Sequence, residues 1–393
     1  FVIAALGGLY LGYWHQAIWL LILLATNQFL QSLIVFFRSH LAGLHLFKAD
    51  ALMSVMDKGL TIILCGGVLY CTWHKIEMTI LLFAALQTVS FALAALFAFV
   101  MLYKKTRLFH FSINLGELRA LLKKSFPYAL LILLMSFYTR VDSVMLQQIS
   151  GDFENGIYAQ AFRLLDAINQ PGYLFSVLLL PMFAGMTARK EPVRDLTRLA
   201  FSLVLVITTA ISLAGAFNAP ALMTWLYTDH PELSSPVLQL LIFSSIAFGG
   251  TYIFGTLLTA RGNMRVLNGV ALIGFLLNIV LNFILIPAYG AMGAAFATVF
   301  TQGGTAVIQI VFSFKIAAFR FALKYWLRMA GFFVLAALCS WGLKQLFLMP
   351  WGWLFLLQFA FIMGLAAVLK LLPLQAAIEL IRMRFTTDSN AKG

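Results

Sequence analysis

The sequence predicts an all-α, polytopic membrane protein of about twelve transmembrane helices, and three observations predict it. The 393-residue chain is 62% hydrophobic and only 10% charged, with a mean hydropathy of +0.94. Apolar runs of about 20 residues, the length that crosses a hydrocarbon core, recur from one end to the other. Basic residues crowd into alternate loops, as they do when one side of a membrane retains Lys and Arg.

Taken in order, the first run, 1–13, is too short to cross. It lacks an initiator Met and the basic flank of a signal peptide, so a chain truncated before it, by two helices, is expected. Runs 16–37, 50–72 and 78–102 follow. The first of these carries the polar stripe Asn27, Gln31 and Arg38, whose last member suits a snorkelling anchor. The second opens with Asp50, Asp57 and Lys58, read as an interfacial ion pair or a cytoplasmic gate. The polar stretch 103–125 has helical apolar spacing over 111–122, expected as an amphipathic helix on the inner leaflet. Runs 126–149 and 156–187 then flank the short link 150–155. Runs 197–227, 236–260, 265–288 and 291–314 complete a set of six, the last two separated by Pro287 and Gly290. After a basic linker, 325–348 and 351–372 form an accessory pair. The expected organisation is therefore 1–103, a linker 104–125, a six-helix body 126–317, two extra helices with a basic tail 318–385, and a disordered end 386–393.

A net charge of +13 raises nucleic acid as a partner, but the distribution accounts for the charge without it. The basic loops contain Arg38 and Lys48, then Lys104 through Lys124, then Arg189, Lys190, Arg194 and Arg198. They continue with Arg261 and Arg265, the segment from Lys315 to Arg328, and the C-terminal tail. The intervening loops hold only Lys75 and Lys344. The basic loops and the C-terminus are thus expected to be cytoplasmic, and the links 150–155 and 228–235 to face outward. Cys65, Cys71 and Cys339 have no CxxC spacing and read as packing residues. The histidines lack ligand spacing, and no phosphate loop, nucleophile elbow or paired-carboxylate motif is present. Neither an enzyme nor a metal or cofactor site is expected.

Four charges interrupt the apolar runs: Arg140 and Asp142 in 126–149, Arg163 and Asp166 in 156–187. Counted from Asp152, Arg140 lies 12 residues back and Arg163 11 on, which places both about 16–18 Å from the turn. Each such charge costs about 2.5–3.5 kcal/mol on insertion scales, so intramembrane ions mark functional sites or paired structure. Arg163, Asp166 and Gln170 fall on one helical face. Asn169 flanks that stripe, and Pro171-Gly172 is expected to kink or unwind the helix beside it. Arg140 and Asp142 point to nearly opposite sides. One reading turns Arg140 to a cavity and Asp142 to a neighbouring helix, reaching Arg163. The other pairs Arg140 with Asp166 and Asp142 with Arg163, purely as structure. Asn278 and Asn282, at i and i+4, either touch substrate or act as interhelical glue.

Two stretches carry a resemblance. Leu276-Leu277-Asn278, Leu281-Asn282, Leu285-Ile286-Pro287, Tyr289-Gly290 and Gly293 through Thr298 form one. Arg140-Val141-Asp142 with Gly156-Ile157-Tyr158-Ala159 and Phe162-Arg163-Leu164 form the other. Both resemble the multidrug/oligosaccharidyl-lipid/polysaccharide (MOP) exporter superfamily, and within it the Wzx-type flippases. That resemblance implies two helical lobes around a central cavity plus two extra C-terminal helices. It implies alternating-access transport of undecaprenyl-diphosphate-linked glycan across the bacterial inner membrane, for O-antigen or other cell-surface polysaccharide. Membrane lipids and polysaccharide polymerase machinery are the implied partners. Arg140 and Arg163 would hold the anionic head group, with Asp142 and Asp166 as charge-pairing residues. Asn169, Gln170, Tyr173 and Gln302 would meet sugar hydroxyls, and Pro171 and Gly172 would serve as a gating kink. The rival readings are an organic-cation antiporter of the same superfamily, which calls for a net-negative cavity, and a peptidoglycan-precursor flippase.

Overall fold

The computed structural model describes residues 18–43, 47–71, 78–106 and 115–371. The expected first span and the tail beyond 371 lie outside them, as does part of the linker. Every regular element among the described residues is an α-helix. The chain divides into two compact units, 1–114 and 115–393. In the first, α1 (Ile18–Gly43), α2 (Phe47–Cys71) and α3 (Ile80–Thr106) pack together. Ala94, Ala95 and Ala98 on α3 are buried against Ile34 and Phe37 of α1, small residues that let two helices approach where no water drives them together. Asn27 adds a polar tie, its Nδ2 donating to Gln87 Oε1 at 3.2 Å.

The second unit holds α4 (Leu115–Ala188), α5 (Arg194–Leu226), α6 (Pro231–Leu241), α7 (Ser244–Ala260), α8 (Met264–Ile316), α9 (Leu323–Leu346) and α10 (Trp351–Val368). Among the described residues, nine helical stretches are long and apolar enough to cross a membrane. Two of them exceed one crossing. At about 1.5 Å per residue, the 74 residues of α4 and the 53 of α8 would run far beyond a core about 30 Å thick. Each is a hairpin of two arms. α4 turns at Gly151 (φ 88°, ψ 178°) and α8 at Gly290 (φ 53°, ψ −130°). Positive φ is open to glycine and strained for other residues. At Gly290 there is a second reason: a Cβ would collide with the Glu154 carboxylate, which accepts the Ala291 amide at 2.7 Å. That carboxylate sits at the N-terminal end of the second arm, where helix dipole and unpaired amides favour an anion.

Counting arms, the described residues make eleven passes, in line with a helix total near twelve. Of the expected amphipathic helix 111–122, the described residues 115–122 are helical, exposed and continuous with α4. α5 is the most enclosed described span, with α9 and α10 against it. Asn218 of α5 donates to Gln358 Oε1 at 2.7 Å, and Gln358 donates to the Ser340 carbonyl at 2.8 Å. The extra pair is thereby stitched into this unit by a buried amide relay.

Candidate functional site

The α4 hairpin carries Arg140, Asp142, Arg163 and Asp166, and its break at Gly151 sets their depth. Arg140 and Arg163 lie 11 residues before it and 12 after, so they stand at matching distances of about 16–18 Å along the two arms. The surroundings of the four then diverge.

Asp142 is 2% exposed. One carboxylate oxygen accepts Asn282 Nδ2 at 2.6 Å. The other accepts the Thr298 hydroxyl at 2.6 Å and the Tyr158 hydroxyl at 3.0 Å. Asn282 also donates to Asn278 Oδ1 at 3.1 Å. Three helical arms converge here. Asn278 and Asn282 share a face of the first arm of α8, Thr298 faces them from its second arm, and Tyr158 comes from the second arm of α4. All the donors are neutral. A carboxylate enclosed without a counter-charge is costly as an ion, so this cluster is chemically suited to take up a proton or a small cation. Asn278 Oδ1 and Thr298 Oγ1 are the kind of hard oxygen a cation would use.

This arrangement corrects the expected partnership of Asp142 with Arg163. Among the described residues, none of Arg140, Asp142, Arg163 and Asp166 lies within 4.0 Å of an opposite charge. Arg140 points away because two residues separate opposite helix faces, and neutral donors have filled every approach to Asp142. Asn278 and Asn282 are 0% exposed, and Asn282 ties the first arm of α8 to Asp142.

Arg140, Arg163, Asp166 and Gln170 are exposed. Arg140 Cζ lies 5.9 Å from the centre of the Phe162 ring, and its charge acts on Asp166 across a gap too wide for an ion pair. Asn169 is buried, with its Oδ1 unpartnered. The expected unwinding at Pro171-Gly172 does not occur, for the backbone remains helical there. Gly172 serves close approach instead, since a Cβ would stand 2.9 Å from a Tyr252 ring carbon. Tyr173 is half exposed, edge-on to Tyr252 at 6.3 Å.

Tyr158 and Thr298 are the site residues the sequence reading missed as ligands of Asp142. The available signal was a polar stripe in the second arm of α8, Thr298, Gln302, Thr305, Gln309 and Ser313, at spacings of three and four in an otherwise apolar helix, all of it buried.

Residues 1–187 match the family model described as polysaccharide biosynthesis protein. An uncharacterized membrane protein of Methanocaldococcus jannaschii is 28% identical over 185 residues, 46% of this chain and 43% of that protein. The capsular polysaccharide biosynthesis protein CapF of Staphylococcus aureus is 22% identical over 237 residues, 60% of this chain and 59% of that protein. The chain thus spans less than two thirds of each relative's length. Among solved structures, the lipid II flippase MurJ in an inward closed conformation aligns with a TM-score of 0.68 at 16% identity, covering 91% of this chain and 74% of that one. An outward-facing multidrug resistance MATE family transporter of the MOP superfamily aligns at 0.63 and 15% identity, covering 80% and 74%. The chain is thus a helical, multi-pass membrane protein that is similar to polysaccharide biosynthesis proteins over residues 1–187 and shares the fold of these two transporters.

Proposed function

We propose that the protein is a flippase, a transporter and not an enzyme, that moves a lipid-linked oligosaccharide across the bacterial inner membrane by alternating access. Arg140 and Arg163 would hold the diphosphate. The observation that carries this reading is the separation of the charges. With Asp142 enclosed, the open face carries two arginines against the single carboxylate of Asp166, so it is net positive. Guanidinium groups bind phosphate oxygens through paired, charge-assisted hydrogen bonds. Asp166 would orient the arginines, and Gln170 would meet a hydroxyl of the glycan. An organic-cation antiporter calls for the opposite sign of face. In this reading 1–103 and 126–317 are the two lobes, 104–125 is their cytoplasmic linker, and 318–385 is an appendage. Basic loops and C-terminus lie in the cytoplasm, and polymerase machinery is the expected downstream partner.

The test is flipping of undecaprenyl-diphosphate-linked oligosaccharide in proteoliposomes. Arg140→Ala and Arg163→Ala should each lower the rate at least about tenfold, the worth of one charged hydrogen-bonding group, while the proteins remain monodisperse. Unchanged rates in both variants would sink the arginine reading. Parallel assays with a peptidoglycan precursor separate the two lipid-linked substrates.

A further inference from the structure

A second polar site lies within the unit 115–393, in a cavity of about 290 Å³ bounded by the first arm of α4, by α7 and by both arms of α8. Its polar lining includes Tyr138, Thr251, Tyr252, Gln302, Thr305 and Gln309, and no charged side chain contributes. Gln309 is the decisive residue. It is 1% exposed, and neither its Oε1 nor its Nε2 has a hydrogen-bond partner in the protein. A primary amide offers two donors and a two-lone-pair acceptor, and leaving all of them unpaired in a buried place is costly. The hydroxyls of Tyr138 and Thr251 are unpartnered as well. Gly255 makes the space in front of the amide, since a Cβ there would stand 3.2 Å from Gln309 Oε1. The Phe248 and Tyr252 rings form an aromatic wall, stacked at 6.2 Å and 28°.

This chemistry selects its occupant. A cation would need an anionic ligand, and the lining has none. An apolar chain would leave the Gln309 amide unpaired. A neutral ring bearing hydroxyls satisfies the amide and the phenols along its edge and lays its C–H face on the aromatic wall. The volume sits at the small end of ligand pockets, about 300–1,000 Å³, which fits one ring and excludes an oligosaccharide. The cavity also adjoins the arginine face. Thr139 lines it beside Arg140, and Tyr252 packs on Gly172 and Tyr173 of the other arm. We infer that the cavity is a binding site for a single neutral sugar ring, the one nearest the phosphates. This deepens the flippase reading and rests on it.

The experiment measures binding of two lipids to the purified full chain: bare undecaprenyl diphosphate, and the same carrier bearing one glucose or one N-acetylglucosamine. Wild type should bind a sugar-bearing carrier at least about tenfold more tightly than the bare one, the net worth of one hydrogen bond. Gln309→Met, similar in volume but without the amide, should abolish that increment and leave bare-carrier binding unchanged. Arg163→Ala should weaken both lipids equally. If neither sugar adds affinity in wild type, or if Gln309→Met keeps the increment, the sugar site is overturned. If Arg163→Ala leaves the bare carrier unaffected, it is the flippase reading that fails. Should Gln309→Met not purify as a monodisperse protein, Gly255→Ala, which adds one methyl facing the amide, decides the question by the same increment.

Discussion

Asp142 and Asp166 stand on opposite arms of one hairpin, and each is near the middle of an apolar run. Asp142 is closed in by Asn282, Thr298 and Tyr158, whereas Asp166 stands exposed near Arg140. The contrast shows that a formally neutral set of four charges need not be neutral where a ligand meets it. Neutral donors from three helical arms absorb one carboxylate, and the arginine excess left on the open face is the result. Counting charges along the sequence therefore gives the wrong sum.

The comparison breaks most readily at Asp142. Asp142→Ala removes the acceptor that Asn282, Thr298 and Tyr158 share, of which Thr298 retains the Ala294 carbonyl at 3.0 Å, and hydrogen bonds to a charged group contribute about 1.5–3 kcal/mol each. The variant should lose several kcal/mol of stability and largely disappear from the membrane fraction. Asp142→Asn keeps the shape but removes the charge, so it should remain folded while flipping falls sharply. Asp166→Ala, on the open face, should leave thermal stability within about 0.5 kcal/mol of wild type. Equal instability of Asp142→Ala and Asp166→Ala would erase the distinction between the two sites.

A smaller effect is expected where α8 is held in register with that cluster. Asn282 and Thr298 meet Asp142 from two arms only because the chain reverses at Gly290. Gly290→Ala imposes a positive φ on an L-residue and pushes against Glu154, which should cost about 1–3 kcal/mol. Its melting temperature should drop clearly, and Glu154→Gln, which keeps an acceptor at the Ala291 amide, should drop it less. A larger drop in Glu154→Gln would place the strain elsewhere.

The helical fold was legible because hydropathy, loop charge and the Gly290 break are all local signals. Matching arginine depth was legible too, since helix rise fixes it. The partners of Asp142 were not, because Asn282 and Thr298 come from arms 140 and 156 residues away and Tyr158 from across the hairpin turn. At Pro171-Gly172 the helical dihedrals continue, so no unwinding follows from the lost hydrogen bond, and Gly172 lets the Tyr252 ring approach closely. Gln302 stands out on its own, whereas the stripe from Thr298 to Ser313 emerges only over the whole arm at helical spacing.

The accessory pair supplies a milder test of what a buried polar contact is worth away from the cluster. Gln358→Leu removes the relay between Asn218 and the Ser340 carbonyl. Asn218 Nδ2 retains the Ala214 carbonyl at 2.8 Å, so the loss should be about 1–2 kcal/mol, with flipping preserved. A flipping defect as deep as that of Asp142→Asn would mean that α9 and α10 take part in the cycle.

The smallest effect belongs to the loop pair Arg189–Glu191, where the same two ions meet in water. Glu191 accepts Arg189 Nε at 2.6 Å, and that hydrogen bond holds its carboxyl below the usual carboxylate range. Both groups are exposed, so solvent screens the pair. A lowered folded-state pKa contributes stability above the usual carboxylate range and loses it as pH falls through the lowered value. Glu191→Gln should therefore show a melting-temperature deficit at the edge of detection at neutral pH, narrowing further in acid. A large deficit at neutral pH would mean that ion pairs in this protein are strong wherever they occur. The exposed arginines of α4 would then be expected to find carboxylates before phosphates, and the difference between the enclosed and the open aspartate would no longer explain the positive face.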